Sequence, residues 1–204
     1  MFTYLFTHTP LLYFVQSIWR DEAYSILMAE KPLLYILNAL VFESPLYYLL
    51  LHIWIKMFGN SEIVVRSFSI LGYTLATIVM IEWGAKLFKT KWLGVFLPLF
   101  FFLNPMLIYY AFEIRSYPWV ILFSTIAMVS YLHQNWRWYT VATILAFYTH
   151  TYTILIPFVT GVHYVFMHKP VLRTLRLRSL LTNPLVQSSA VIMLAITPWL
   201  LRII

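Results

Sequence analysis

Long apolar runs separated by short charged loops are the feature that most constrains how this chain can fold. Of the 204 residues, 62% are hydrophobic and only 10% are charged. A water-soluble domain of this length cannot hide so much apolar surface, because a small domain leaves a large share of its residues in contact with water. The composition therefore predicts an integral, multi-pass membrane protein.

Seven of the apolar runs are candidates for transmembrane helices. A helix needs about 20 apolar residues to cross the hydrocarbon core of a bilayer. Polar residues interrupt the first candidate, and the fifth and sixth are short enough to form either one long helix or a tight hairpin. The sequence thus predicts an all-α, polytopic fold of about seven transmembrane helices, in one module over residues 1–204. The candidates are roughly residues 1–17, 66–86, 92–110, 118–133, 138–150, 152–168 and 184–201.

Lysine and arginine residues cluster in three loops, KLFKTK at 86–91, HQNWRW at 133–138 and KPVLRTLRLR at 169–178. Cytoplasmic loops of membrane proteins are enriched in these residues. If 138–168 is a hairpin, all three loops lie on the cytoplasmic side, so we favour the hairpin over a single helix. The net charge of +7 then reflects membrane topology, and no nucleic-acid partner is expected.

This topology places two segments, 19–65 and the loop around 110–117, on the extracytoplasmic face. Charged residues divide the first segment into pieces, and Pro32 and Pro45 interrupt it. We expect short amphipathic helices that lie in the membrane interface. Asp21 and Glu22 are the acidic residues that the first turn of a helix favours.

The two external segments and the start of the second span bring acids and arginines to one face. Arginine binds phosphate oxygens through a planar, two-pronged fork. A nearby carboxylate can accept a proton from an attacking group. This combination fits chemistry on a lipid-linked sugar phosphate. The residues concerned are Arg20, Asp21, Glu22, Glu43, Arg66, Glu113, Arg115 and Tyr117.

Four motifs occur in a fixed order: WRDEAYS at 19–25, SPLYYLLLH at 44–52, FGNSEIVVR at 58–66 and YAFEIRSY at 110–117. In this order and spacing they resemble the GT-C superfamily of membrane glycosyltransferases, in particular the branch of protein O-mannosyltransferases and lipid A aminoarabinose transferases. The likeness covers nearly the whole chain. It implies an enzyme that moves a sugar from a polyprenyl-phosphate donor to a lipid, glycan or protein acceptor at the extracytoplasmic face, with inversion at the anomeric carbon.

The resemblance also implies roles for individual residues. Asp21 and Glu22 match the acidic pair of the family, and Asp21 would be the carboxylate that activates the acceptor. Donor contacts would come from Arg66, Glu113, Arg115 and Tyr117, with Arg20 and Glu43 beside them. Relatives have His-Pro or Lys-Pro where this chain has Glu43-Ser44 before Pro45-Leu46. Family members also carry a variable C-terminal part that residues 1–204 lack, so a fragment, a half-module with a partner and a minimal form all stay open.

Other interpretations of the same residues stay open too. Asp21 and Glu22 could simply begin a helix, Arg66 could anchor to lipid headgroups, and Glu113–Arg115 could be a structural loop pair. The alternative functions are a non-catalytic module that binds a lipid carrier, a subunit of a larger transferase, and a transporter of the lipid-linked sugar. No cofactor is expected, because Glu43 and the histidines lack the close spacing of metal ligands.

Overall fold

The computed structural model describes residues 16–88, 92, 94–96, 99, 104–167 and 182–203. Within them the regular structure is helical, without strands. Most of the first candidate span, about a third of the third and the basic loop at 169–178 lie outside the described residues. The helices are α1 (Arg20–Ala29), α2 (Leu33–Ala39), α3 (Leu46–Phe58), α4 (Glu62–Phe88), α5 (Pro105–Phe112), α6 (Tyr117–Leu132), α7 (Trp136–Thr149), α8 (Leu155–Met167) and α9 (Pro184–Ile203), with a 3₁₀ turn at Thr151–Ile154.

The helices belong to two compact units. The first contains the chain up to Leu40 together with Pro45–Leu122, and the second contains Val41–Ser44 and the chain from Phe123 onward. In the first unit α1 and α2 pack on α3, α3 packs on α4, and α4 packs on α5. In the second unit α7 packs against α9.

The segment 19–65 contains the short helices that the sequence predicts. The residues that cap α2 and α3 at their N-termini are Pro32 and Pro45. Proline suits the start of a helix and not its interior, because it lacks an amide hydrogen. Gly59 ends α3 with a φ of 95°, a value that only glycine adopts without strain. The chain between Arg20 and Phe58 therefore forms three short helices instead of one continuous apolar helix.

Aromatic packing fixes α4 against the start of α6 in the first unit. The rings of Phe68 and Trp119 stack with their centroids 4.7 Å apart. Gly72 lies against the same indole, and a Cβ atom there would come within 3.2 Å of the Trp119 ring. This close approach holds the loop just before α6 near the N-terminal end of α4, where the candidate site lies.

The segment 138–168 folds back on itself, as the distribution of basic residues predicts. The hydroxyl oxygens of Tyr139 and Thr160 lie 2.6 Å apart, although 21 residues separate them in sequence. In one continuous helix they would be about 31 Å apart at 1.5 Å per residue. The chain reverses at His150, whose extended backbone ends α7 before the 3₁₀ turn. The hairpin is confirmed and the single helix is excluded.

Two helices are long and apolar enough to cross a bilayer, Glu62–Leu87 with 26 residues and Pro184–Arg202 with 19. They support an association with the membrane. The count of about seven spans is not confirmed, because the other described candidates are shorter. Helices α6 and α7 contain only 16 and 14 residues, since the loop before Asn135 and the break at His150 divide the apolar sequence. The side of the membrane on which each loop lies stays a prediction.

Candidate functional site

Asp21 and Glu22 follow one another in the first turn of α1, yet their side chains have different surroundings. Successive residues of an α-helix point about 100° apart, so adjacent side chains face different neighbours. The Glu22 side chain is 2% exposed, whereas that of Asp21 is 31% exposed. The acidic pair that the sequence singled out therefore divides into one buried and one accessible carboxylate.

Glu22 forms a two-pronged ion pair with Arg66 in the interior of the first unit. Arg66 Nη1 lies 3.1 Å from Glu22 Oε1, and Arg66 Nη2 lies 3.2 Å from Glu22 Oε2. The backbone N–H groups of Ile114 and Trp19 also donate to the carboxylate, at 3.0 and 3.4 Å. One carboxylate thus accepts four hydrogen bonds.

The guanidinium of Arg66 is equally engaged. Its Nη1 also donates to the carbonyl oxygen of Phe112 at 3.2 Å, and its Nη2 donates to that of Gln16 at 2.9 Å. A buried ion pair offsets the cost of desolvation only when its remaining donors and acceptors are also satisfied. Glu22 and Arg66 come close to that condition, so they act as a brace that joins the start of α1, α4 and the end of α5.

This geometry favours structural roles where the sequence predicted chemical ones. Glu22 was expected to assist catalysis, but its lone pairs are occupied by four donors. Arg66 was expected to contact the donor phosphate, but all four of its Nη hydrogens have partners within the protein. Only its Nε atom is buried without a hydrogen bond. A ligand would have to break the brace to recruit either residue.

The second ion pair of the site joins Asp21 to Arg115 and is accessible. Arg115 Nη1 lies 3.0 Å from Asp21 Oδ2, and the two side chains are 24% and 31% exposed. Arg115 Nη2 also donates to the hydroxyl of Tyr117 at 3.4 Å, and the guanidinium carbon lies 5.5 Å from the centre of the Tyr117 ring. The predicted association of Asp21, Arg115 and Tyr117 is therefore present in the fold.

The residues around Arg115 favour the protonated, positively charged form of its guanidinium. Burial by itself would lower the pKa of its guanidinium, but the hydrogen bond to Tyr117 and the negative charge of Asp21 outweigh burial and raise the pKa above its ordinary value. Arg115 therefore offers a permanent positive charge at a partly exposed position, which is what recognition of a phosphate requires.

The loop that carries Arg115 is set by the helices on either side of it. Helix α5 ends at Phe112, and Glu113 takes an extended backbone conformation. The N–H groups of Trp119 and Val120 then bond to the carbonyl oxygen of Ser116 and begin α6. The sequence predicts an extended loop up to Tyr117, because the residue before a proline avoids helical geometry. Tyr117 is instead the first residue of α6.

Glu113 points inward, away from the partner that the sequence suggested. A loop pair with Arg115 was one interpretation of the sequence, whereas the ion pair that Arg115 forms in the described part of the chain is with Asp21. Glu113 is only 5% exposed, and its Oε2 atom has no hydrogen-bond partner. Burial, and then the nearby charge of Glu22, raise the pKa of its carboxyl above the ordinary value of 4.5, although a hydrogen bond with Tyr109 acts in the opposite direction.

A small cavity separates Glu113 from the brace. Its volume is about 10 Å³, and its walls include Glu22, Arg66, Tyr109 and Glu113. A space of this size holds about one water molecule and no sugar. Neither Asp21 nor Arg115 lines this cavity.

Two further predicted residues contribute less to the arrangement. The side chain of Arg20 is 95% exposed, and its Nε atom lies 3.6 Å from Asp21 Oδ1. Glu43 belongs to the second unit and the ion-pair cluster to the first, so its role as a donor contact stays a prediction. Among the residues that the structure describes, no three His, Asp or Glu side chains form a group that could hold a metal ion.

Several contacts of the site escaped sequence reasoning. The carbonyl oxygen of Gln16 and the N–H group of Ile114 are backbone groups, so the residue types at these positions do not predict their contacts. Tyr109 could have been found, because it precedes Glu113 by four residues, the spacing at which side chains meet on a helix. Tyr109 lies in the last turn of α5, and Glu113 is the residue that caps the C-terminal end of that helix.

Comparison with family models, with curated proteins and with solved structures finds no match to this chain. The geometry of the two ion pairs and the four sequence motifs are therefore the features that bear on function.

Proposed function

We propose that this protein is a membrane glycosyltransferase of the GT-C type, which transfers a sugar from a polyprenyl-phosphate donor to an acceptor at the extracytoplasmic face. The observation that carries the proposal is the accessible Asp21–Arg115 pair, whose two charges are 3.0 Å apart beside a saturated, buried brace. A carboxylate and a guanidinium at one surface position supply the base and the phosphate contact that such a transfer needs.

The reaction would be a single displacement. The hydroxyl oxygen of the acceptor attacks the anomeric carbon of the donor sugar, and Asp21 takes the hydroxyl proton. The bond between that carbon and the phosphate oxygen breaks, and its electron pair stays on the polyprenyl phosphate. Arg115 stabilises the negative charge that develops there. The attack comes from the face opposite the leaving phosphate, so the configuration at the anomeric carbon inverts.

Asp21 and the donor phosphate would compete for the same guanidinium. When the phosphate binds to Arg115, the Asp21 carboxylate loses its partner and becomes available to accept a proton. Binding of the donor would therefore activate the base. Tyr117 would remain beside Arg115 and border the phosphate or the sugar, since its hydroxyl and ring already contact the guanidinium.

A module that binds a lipid-linked phosphate without transferring its sugar is the second candidate. The saturation of Glu22 favours it, because the described cluster then offers one accessible carboxylate, Asp21, which is itself engaged in an ion pair. Both candidates need Arg115, and only the transferase needs Asp21 as a base. Variants at the two positions separate them.

The experiment measures donor binding and sugar transfer with the protein reconstituted in lipid nanodiscs, using radiolabelled polyprenyl-phosphate sugars and a membrane extract as the source of acceptors. Asp21→Asn should reduce transfer by about 100-fold or more, because it removes the proton acceptor and keeps the size of the side chain. Its donor affinity should change only a few-fold. Arg115→Ala should weaken donor binding about 10- to 100-fold, as expected for a lost charge-assisted hydrogen bond.

Lys56→Ala is the matched control, since Lys56 is an exposed cation of the first unit to which no role in the site is assigned. It should leave both measurements within about twofold of the wild type. Transfer at the wild-type rate by Asp21→Asn eliminates the proposed base. Donor binding that depends on Arg115, without transfer by the wild type, selects the binding module instead.

A further inference from the structure

A second cavity, in the second unit, has no part in the proposed transfer. It has a volume of about 290 Å³ and lies where the ends of α6 and α8 meet the starts of α7 and α9. Pockets for small molecules begin at about this size. None of the described residues that line it is an Asp, Glu, Lys or Arg. Its walls include the aromatic residues Tyr131, Trp136 and Tyr164.

Local hydrogen bonds hold the walls of this cavity in place. Asn183 accepts from the N–H group of Leu185 at 2.9 Å and donates to the hydroxyl of Tyr164 at 2.6 Å, so it fastens the start of α9 to α8. Gln134 has a positive φ of 55°, which ends α6 sharply and brings Trp136 to the rim. The shape of the cavity is therefore built into the fold.

Two polar side chains at the cavity retain unused hydrogen-bonding groups. His163 Nδ1 lies 2.8 Å from the hydroxyl oxygen of Tyr131, and this contact leaves its Nε2 atom available. The amide of Gln134 is exposed and forms no hydrogen bond with the described part of the chain. The cavity thus combines aromatic rings with a neutral amide and an imidazole nitrogen.

We propose that this cavity binds a neutral, pyranose-sized polyol, either as a free sugar or as the headgroup of a glycolipid. A sugar ring has an apolar C–H face that can lie on an aromatic ring, and a rim of hydroxyl groups that can bond to Gln134 and His163. The other ligand classes fit less well. Among the described residues of the walls, an anion would find no lysine or arginine and a cation would find no carboxylate. An alkyl chain would leave the amide and the imidazole without partners.

The test uses the full chain in nanodiscs of phosphatidylcholine, free of sugar-based detergent, with a panel of methyl pyranosides as the free probes. Binding is followed by saturation-transfer NMR from the protein to the pyranoside ring protons. In a second arm the nanodiscs contain a monoglycosyl diacylglycerol, and protection of the cavity is followed by chemical modification of His163. Signal in the first arm identifies a free sugar, and protection in the second arm alone identifies a lipid headgroup.

Variants assign the signal to this cavity. Trp136→Ala should lower the affinity at least tenfold, and Gln134→Ala should lower it about three- to tenfold through the lost hydrogen bond. Trp138→Ala is the matched control, because Trp138 lies one residue beyond Arg137 on the same helix, is 60% exposed and does not line the cavity. His163→Ala should also lower the affinity about three- to tenfold, and His133→Ala is its control, because His133 is exposed and does not line the cavity. Both controls should bind like the wild type.

Three results would overturn the proposal. One is the absence of binding in both arms. Another is binding that Trp138→Ala weakens as much as Trp136→Ala. The third is displacement of the pyranoside by phosphocholine, inorganic phosphate or an alkyl chain with the same dependence on Trp136 and Gln134, which would identify a different ligand class. The proposal is independent of Asp21 and Arg115, so sugar binding should persist in Asp21→Asn even if no transferase activity is found.

Discussion

Glu22 and Asp21 are chemically alike and adjacent in sequence, yet each belongs to a different kind of ion pair. Glu22 and Arg66 are almost completely buried, and four donors surround the carboxylate. Asp21 and Arg115 are partly exposed, with a single close contact of 3.0 Å between them. Nearly all donors and acceptors of the Glu22–Arg66 pair are already bonded within the protein. The Asp21–Arg115 pair is partly exposed, so a ligand could reach it.

The difference shows how this fold can hold an accessible ion pair at its surface. The buried pair fixes the backbone on both sides, because it bonds to the N–H group of Ile114 and the carbonyl oxygen of Phe112. Arg115 follows Ile114 directly, and Asp21 precedes Glu22 directly. The brace therefore sets the distance between the two residues that we assign to chemistry, without using either of their side chains.

The largest expected effect comes from breaking the brace. Arg66→Ala leaves the Glu22 carboxylate buried with only two backbone donors, and loss of one partner from a buried ion pair costs about 3–5 kcal/mol. The free energy of unfolding, measured by titration with sodium dodecyl sulfate in mixed micelles and followed by circular dichroism, should fall by that amount. Arg20→Ala, the exposed control, should change it by less than about 0.5 kcal/mol.

The double variant Glu22→Leu/Arg66→Met sharpens this test. Replacing both charges by apolar side chains removes the unpaired charge, so part of the lost stability should return. Recovery should be incomplete, since the carbonyl oxygens of Gln16 and Phe112 lose their donor. A fall of less than about 1 kcal/mol in Arg66→Ala would show that the pair is not a brace.

Exchanging the charges of the accessible pair comes next in size. The variant Asp21→Arg/Arg115→Asp keeps two opposite charges at the same two positions. A partly exposed ion pair contributes about 0–1 kcal/mol, so stability should stay close to that of the wild type. Sugar transfer should nevertheless remain at least about 100-fold below wild type, because the base and the phosphate ligand have changed places. If this double variant transferred sugar at the wild-type rate, the Asp21–Arg115 pair would be only a structural contact.

Much of this arrangement was accessible from sequence, and the failures have a common cause. The acids of the first turn, the breaks at Pro32 and Pro45 and the 138–168 hairpin follow from local rules of helix capping and charge distribution. Which carboxylate faces Arg66 depends on how α1 is rotated against α4, and no local pattern fixes that rotation.

The same limit explains the inward position of Glu113. Only Ile114 separates it from Arg115 in sequence, but the end of α5 turns one side chain inward and the other outward. The number of spans stays unconfirmed for a different reason. The predicted candidates already end near residues 133 and 150, and the helices end there too, before the cap at Asn135 and at the extended backbone of His150. These helices are therefore shorter than the usual length of a membrane crossing.

The dependence of stability on pH separates the buried side of the site from the accessible side. Burial and the charge of Glu22 raise the pKa of Glu113, so the folded protein favours the protonated carboxyl. Relative to Glu113→Gln, the wild type should be most stable below the ordinary glutamate pKa. It should lose stability as the pH rises through the raised value, by at most about 1.4 kcal/mol per pH unit.

Unfolding of the wild type and of Glu113→Gln, compared from about pH 4 to pH 8, checks this sign. A difference that does not vary with pH would mean that the carboxyl is not held in its neutral form. The comparison isolates Glu113, because the ionisable neighbours that act on it are common to both proteins. Those neighbours are Tyr109, Glu22, Arg115 and Asp21.

The smallest expected effect is at Tyr117. Variants at this position test whether the contact with Tyr117 or the buried brace positions Arg115. Tyr117→Phe removes only the hydroxyl that accepts from Arg115 at 3.4 Å, a long and therefore weak hydrogen bond, and keeps the ring beneath the guanidinium. Donor affinity should fall by only about two- to fivefold. Tyr117→Leu also removes the cation–π contact and should lower the affinity several-fold further. Both are measured in the donor-binding assay, with Arg115→Ala as the lower limit.

If Tyr117→Phe weakened binding as much as Arg115→Ala, the Tyr117 hydroxyl would itself be a principal ligand of the phosphate. If neither variant changed it, the brace alone would position Arg115.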